Sequence, residues 1–312
     1  MAHSRQKGAV PMQTAFLHYA DPRALADLCR ALEMPETVTE RLLAHLRALD
    51  PAALAPWFDG LFSLETGGAS VRAIPELFKT EADPTGDAGL KALTVYLVAA
   101  LHTRTLYARL GIAEDTGIYI ESLKAFTRFV QEHEVTYGHY GFDRHFWIYR
   151  QLAARLFRLG ALEFELYHFP ADIAPAGPIA PGAPVLSVHI PSDAVMTRDA
   201  LDASYRMAKA FFAEHFPDFH YVCAYCSTWL LSPVLRTLLQ PDSRILLFQE
   251  DYEITQVDLT VNGGLKWVFK RHYEDFALLP EDTSLMRGMK RVLLSGEKTG
   301  SAAGYVKDFE EK

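Results

Sequence analysis

The hydrophobic period of this chain changes once, near residue 160, and that change limits it to a small set of folds. Before it, apolar residues recur every three or four positions, the repeat of a helix face. "DPRALADLCRALEM" brings Leu25, Leu28 and Leu32 together. "PETVTERLLAHLRALD" opens on a proline suited to a first turn and aligns Val38, Leu42, Leu46 and Leu49. "PAALAPWFDGLFSL" reads as a weaker, proline-punctuated helix. "GLKALTVYLVAALHTRTLYARLG" is apolar nearly all round in its middle and closes on Gly111, so its centre has to be buried by its neighbours. Two further amphipathic segments follow, "TGIYIESLKAFTRFVQEHEVTYG" and "FDRHFWIYRQLAARLFRLG", the second read as helical up to Gly160.

After Gly160 the period becomes two. "ALEFELYHF" (161–169) sets Leu162, Phe164 and Leu166 on one side and Glu163, Glu165 and Tyr167 on the other. Five prolines in "PADIAPAGPIAPGAP" (170–184) allow only a long loop. Strands are then expected in "VLSVHI", "HYVCAYCS", "RILLFQEDYEI" and "GLKWVFKR". Helices are expected from Arg198 to Phe216, in "LLSPVLRTLL" and in "DTSLMRGMKRVLLSG". The glycine-rich "GEKTGSAAGYV" reads as a turn-rich terminus. The pattern implies an α+β chain: a helical N-terminal domain over 1–115, then a mixed β-sheet domain flanked by helices over 116–312. A chain of 312 residues has the material for both cores.

Charge and cysteine content narrow the function. A net charge of −8 argues against nucleic acid as a partner, because that needs a basic face. Three cysteines, Cys29, Cys223 and Cys226, are too few for a disulfide framework and fit a reducing cytoplasm. The first ten residues carry charge but no signal-peptide core. The longest apolar run, Leu93–Leu101, is about half of what a bilayer crossing requires, so no membrane is expected.

The informative feature is a shared polar face. Alternation in "VLSVHI" turns Leu186, Val188 and Ile190 one way and Ser187 and His189 the other. If this strand lies beside "ALEFELYHF", two carboxylates, a hydroxyl and an imidazole share one patch of sheet, an arrangement suited to general-base work. The solvent side of an antiparallel sheet would carry the same polar residues. The loop "PSDAVMT" leads to Thr197 as an N-cap and to a helix N-terminus whose free N–H groups suit a phosphate, though no glycine eases close approach. "CAYC" has metal or redox spacing, but residues three apart on a strand face opposite ways, so no metal site is expected there. "HEVTYGH" lacks the second histidine four residues on that a zinc-protease helix needs.

"WIYRQLAARLFRLGALEFEL", "VLSVHIP", "CSTWLLSPVLRTLLQPDSRILLFQ" and "SLMRGMKRVLLSGEKTGSAAGYV" together resemble a bacterial family of acyltransferases with a helical N-terminal domain and a GNAT-like C-terminal domain. The resemblance spans about residues 20–305. It implies acetyl-CoA or another acyl-CoA as donor, and a small-molecule amine or a peptide as acceptor. It also implies "VLSVHI" as the central strand, "HYVCAYCS" as a strand that splays away from it, and no metal. The splay would free backbone N–H groups to hold the pantetheine and polarise the thioester carbonyl. On this reading Glu165 or His189, with Glu163 beside them, supplies the general base. Cys226 or Tyr225 protonates the leaving thiolate. Ile190, Ser192, Thr197 and Arg198 form the phosphate cradle, and Trp229 lies at the cofactor. The chain departs from the family at Ser227, Thr228 and Ser232, where His, Ser and Asp are usual, and lacks the Gln/Arg-x-x-Gly-x-Gly/Ala signature common in GNAT enzymes. Two other readings fit the same residues. One is a cysteine-dependent acyl transferase or hydrolase using Cys226 with His189. The other is a GNAT-like scaffold that binds a ligand or protein without catalysis.

Overall fold

A computed structural model describes residues 12–80 and 85–311, so the charged N-terminal decapeptide lies outside the described residues. The chain forms two compact units, Met1–Arg155 and Leu156–Lys312.

The first unit is helical: α1 (Met12–Tyr19), α2 (Pro22–Ala31), α3 (Glu36–Ala48), α4 (Pro51–Phe58), α5 (Leu64–Glu76), α6 (Asp87–Arg109), α7 (Ile118–Leu123), α8 (Ala125–Tyr137) and α9 (His145–Leu152). Asp21 and Asp50 cap α2 and α4 by accepting from Arg23 and Ala52 N–H, and each is followed by a proline in the first turn. The all-round apolar centre of α6 is buried, as its composition demands, with α1, α2, α3, α5 and α9 against it. Tyr96 donates to Val71 O at 3.1 Å and Thr103 to Leu152 O at 2.8 Å, so α6 is tied to α5 and to the end of α9. These ties place the helices after residue 115 in the first unit, and the break falls at Arg155/Leu156 instead of the expected 115/116.

The second unit is built on a six-stranded mixed sheet: β1 (Leu156–Leu159), β2 (Leu162–His168), β3 (Pro184–His189), β4 (Ala224–Thr228), β5 (Tyr252–Asp258) and β6 (Ser301–Val306), in the order β1-β2-β3-β4-β6-β5. Its helices are α10 (Arg198–His215), α11 (Leu235–Leu238), α12 (Arg244–Gln249), α13 (Leu265–Phe269) and α14 (Ser284–Leu294). Every neighbouring pair is antiparallel except β3 and β4, which run parallel. Leu201, Tyr205, Ala208 and Phe212 of α10 are buried at helical spacing. Here α10 meets Phe157 and Phe164, which are paired across β1 and β2. On the opposite face the proline-rich loop after β2 packs Ala176 and Ile179 with Phe169, Val185, Cys223 and Tyr225.

Among the differences from the sequence expectation, four change which segments enter the sheet. The helix expected to reach Gly160 stops at Leu152. Ala154 then takes φ of 49°, a left-handed conformation that a helix cannot continue through, and the chain enters β1. "RILLFQ" is helical, with Ser243 accepting from Ile245 N–H as a cap, and only the residues from Tyr252 onward form the strand. "LKWVF" is a short helix entered through Gly264 at φ 81°. The glycine-rich terminus is β6, an interior strand between β4 and β5. Its Ala302, Ala303 and Gly304 are small because both flanking strands and both faces are occupied.

Candidate active site

Register converts the polar alternation into a site. Glu163 pairs with His189 and Glu165 with Ser187 across β2 and β3, and Ser187 pairs with Tyr225 across β3 and β4. Directly paired residues share a face, so Glu163, Glu165, Ser187, His189 and Tyr225 lie together. This patch is not the solvent side that the pattern also allowed, since Glu163 and Glu165 are only 2% and 5% exposed. Buried carboxylates require partners. Glu165 Oε2 lies 2.9 Å from His189 Nε2, and a carboxylate at that distance orients the ring.

The same row extends to a residue that sequence reasoning missed. Arg158 of β1 pairs with Glu163, and its guanidinium donates to Gly160 O at 2.6 Å and to Asp193 Oδ1 at 3.0 Å. The loop after β3 is therefore fastened to the sheet through Arg158. The signal for it is a hairpin pattern, "LFRL" and "LEFE" about a glycine turn, which runs on directly from the preceding helical period.

The β3–β4 ladder is short. Leu186 pairs with Ala224 and Ser187 with Tyr225, and past these the strands part. Val188 and His189 on one arm, and Cys226, Ser227 and Thr228 on the other, face a gap that no ladder closes. Parallel strands alternate their hydrogen-bonding groups toward each neighbour, so parting them turns backbone N–H and C=O groups into the gap. Tyr225 sits at the root of the opening. Burial pushes its hydroxyl above the usual phenol range, aided by the nearby Cys226 and Tyr167, while a hydrogen bond with Ser227 works the other way. It therefore stays protonated and able to donate.

The remaining expected residues divide. Ile190 is half-buried and Ser192 exposed in the loop after β3. Thr197 occupies the N-cap position of α10 in extended backbone, but its side chain makes no cap hydrogen bond. Arg198 does not point its charge into a phosphate cradle. Its Nη1 and Nη2 hold Asp251 at 2.8 and 2.7 Å, and Nη2 also reaches Asp202, so the fork is committed within the protein. Trp229 starts the turn after β4, and its ring lies so close to Gly264 that a Cβ there would meet it at 2.5 Å. Cys226 is not with His189. It pairs across β4 and β6 with Gly304 and shares the α10 side with Leu186 and Ala224, the face opposite to Glu165 and His189. Full burial drives its thiol far above the range where a thiolate forms. Cys223 lies on the other face, its thiol pushed up to about 12 by burial, so the two sulfurs of "CAYC" point apart. All three cysteines are free.

Among the described residues no helix is long and apolar enough to cross a membrane. Residues 23–154 match the N-acyltransferase N-terminal domain and residues 156–306 the GNAT-like C-terminal domain, with the junction where the two units meet in sequence. No match was found among curated proteins. Among solved structures, an acyltransferase in complex with decanoyl-CoA and teicoplanin is 26% identical, with a TM-score of 0.74 over 90% of this chain and 86% of its own. An acyltransferase in complex with CoA and 10C-teicoplanin has the same identity and coverage and a TM-score of 0.75. An acyltransferase in complex with decanoyl-CoA is 25% identical, with a TM-score of 0.70 over the same shares.

Proposed function

Because this chain belongs to the acyltransferases that join an N-acyltransferase N-terminal domain to a GNAT-like C-terminal domain, we propose that it moves an acyl group from a medium-chain acyl-CoA directly to an amine. The observation that carries the reading is the parting of β3 and β4 beside the Glu165–His189 pair. The pantetheine arm of the donor lies between the strands, where backbone groups turned toward the opening bind it and polarise the thioester carbonyl. The loop 190–197 and the first turn of α10 hold the pyrophosphate through backbone N–H groups, a role in which Ser192 and Thr197 assist and Arg198 does not. The amine nitrogen attacks the carbonyl carbon as His189 takes its proton, with Glu165 holding the ring and Glu163 adjoining the pair. The tetrahedral intermediate collapses with cleavage of the C–S bond. Tyr225 gives its proton to the departing thiolate and recovers one from the protonated histidine. Trp229 borders the donor at the outer end of the β4 arm.

Octanoyl- or decanoyl-CoA is the preferred donor on this reading, because the similar acyltransferases are found in complex with such thioesters. The acceptor carries a primary amine and belongs with larger molecules of the kind represented by teicoplanin, to which a similar enzyme is bound. A CoA thioester as donor and three free thiols support a cytoplasmic setting. A thermal-shift titration with CoA, acetyl-CoA, octanoyl-CoA and decanoyl-CoA tests the reading. A ligand at one hundred times its Kd adds about 2.7 kcal/mol of stability. The expected result is a clear rise in Tm with octanoyl- and decanoyl-CoA that exceeds the rise with acetyl-CoA. Equal Tm with and without every CoA species would refute the donor assignment.

A further inference from the structure

The two arms of the opening are not held by their own ladder past Ser187 and Tyr225, so other contacts have to set their spacing. On the face away from Glu165 and His189, three buried side chains from three elements converge behind the β4 arm. The Tyr205 hydroxyl of α10 lies 3.3 Å from the Tyr252 hydroxyl of β5, and Tyr252 shares a sheet face with Cys226 of the β4 arm, one strand away across β6, and neighbours its thiol. Tyr205 and Cys226 are fully buried and Tyr252 is 4% exposed. Gly304, paired with Cys226, lets the β5 backbone approach β6 closely beside the cluster. A Cβ there would meet the carbonyl of Glu253.

One residue before Tyr252, Asp251 takes the bidentate hydrogen bonds of Arg198. Arg198 and Tyr205 are seven apart, on one face of α10. The helix is thus fastened at two levels to the Asp251–Tyr252 dipeptide. Its N-terminus is the continuation of the β3 arm through loop 190–197, and Cys226 belongs to the β4 arm. The cluster therefore connects the two arms from behind.

We infer that the Tyr205–Tyr252–Cys226 cluster, braced by the Arg198–Asp251 pair, is a positioning device that sets the opening between the β3 and β4 arms. The inference rests on the reading of that opening as the donor site. Buried hydroxyls must find partners, and a directional network in a dry environment favours one arrangement of the groups it joins. An apolar contact of the same size would tolerate sliding. Donor N–H groups aimed at a thioester carbonyl do not, since a displacement of about 1 Å costs on the order of a hundredfold in rate.

The test uses Tyr252→Phe and Tyr205→Phe in the full chain, each of which removes one hydroxyl and almost no volume. Leu293→Val is the control, a change in the separate core of Phe269, Leu279, Met289 and Leu293. Two readouts are taken: amide hydrogen exchange at 188–190 and 226–228 in the free protein, and kcat at saturating decanoyl-CoA. The tyrosine variants should speed exchange at both arms by about tenfold and lower kcat by about tenfold, a fraction of the full misalignment cost. The double variant should be no worse than Tyr252→Phe alone, because the bond between the two hydroxyls is already lost there. The control should lose Tm without either effect. If Tyr252→Phe does not fold, Tyr205→Phe breaks the same bond from the helix side and decides the matter. Unchanged arm exchange, with kcat within twofold of wild type, would overturn the inference. Failure of the wild-type enzyme to release CoA from any acyl-CoA would refute the acyl-transfer reading instead, and the exchange measurement would still decide whether the cluster sets the arms.

Discussion

His189 and Glu165 stand 2.9 Å apart on a nearly buried face, and the account assigns them one proton-transfer unit. His189→Ala should lower kcat by about 10²- to 10⁴-fold, the range for loss of a general base, with the donor-induced rise in Tm preserved. Steady-state rates of CoA release measure the first and thermal shift the second. Tyr225→Phe should lower kcat while leaving donor binding intact, since the ring still packs on Phe169 and only the proton is lost. Intact-mass spectrometry after mixing enzyme with decanoyl-CoA should show no acylated protein, because the Cys226 thiol is buried on the other face and held protonated. A mass increase of one acyl group would revive the cysteine-dependent alternative. Glu163, Glu165, Ser187 and His189 could be found in the sequence because a period of two fixes a face without knowledge of the partner strand. Tyr205, Asp251 and Tyr252 could not. Their roles depend on pairings between segments far apart in the chain, which local pattern does not encode.

At the scale of elements, the strands that alternate were legible and those that do not were lost. β2 and β3 announce themselves because one side meets α10 and the other carries the polar row. β6 has no such contrast. Its Ser-Ala-Ala-Gly-Tyr-Val composition reads as a loose terminus, yet it is buried between two strands, where small residues fit and larger ones do not. "RILLFQ" and "LKWVF" are short apolar runs for which helix and strand cannot be separated by period alone. The cap at Ser243 and the left-handed Gly264 decided for helix. Gly304→Val tests the packing of β6. Its branched side chain would collide with the Glu253 carbonyl and should destabilise the second unit by about 2 kcal/mol or more, read from denaturant unfolding. A midpoint equal to wild type would mean that β5 and β6 lie farther apart than described.

For the whole molecule, the division falls at Arg155/Leu156, close to the switch in hydrophobic period and not at the 115/116 boundary expected from the sequence. The first unit carries its own signature in pH dependence. Burial lowers the His145 pKa to about 4, so the folded chain keeps this ring neutral while the unfolded chain protonates it below the ordinary histidine range. The unfolded state then binds more protons, and stability falls as pH drops from about 6.5 toward 4. His45 and His102 are shifted the same way by burial and add to the loss. Replacing His145 with Gln should flatten the dependence of Tm on pH across that window. An unchanged slope would assign the acid sensitivity elsewhere. The central claim, that the opening between β3 and β4 receives the acyl donor, is tested most directly by the crystal structure of the complex with decanoyl-CoA. The account predicts the pantetheine arm between Val188–His189 and Cys226–Thr228, with the thioester carbonyl beside His189 and Tyr225. A donor bound outside that opening, with its thioester remote from both residues, would contradict it.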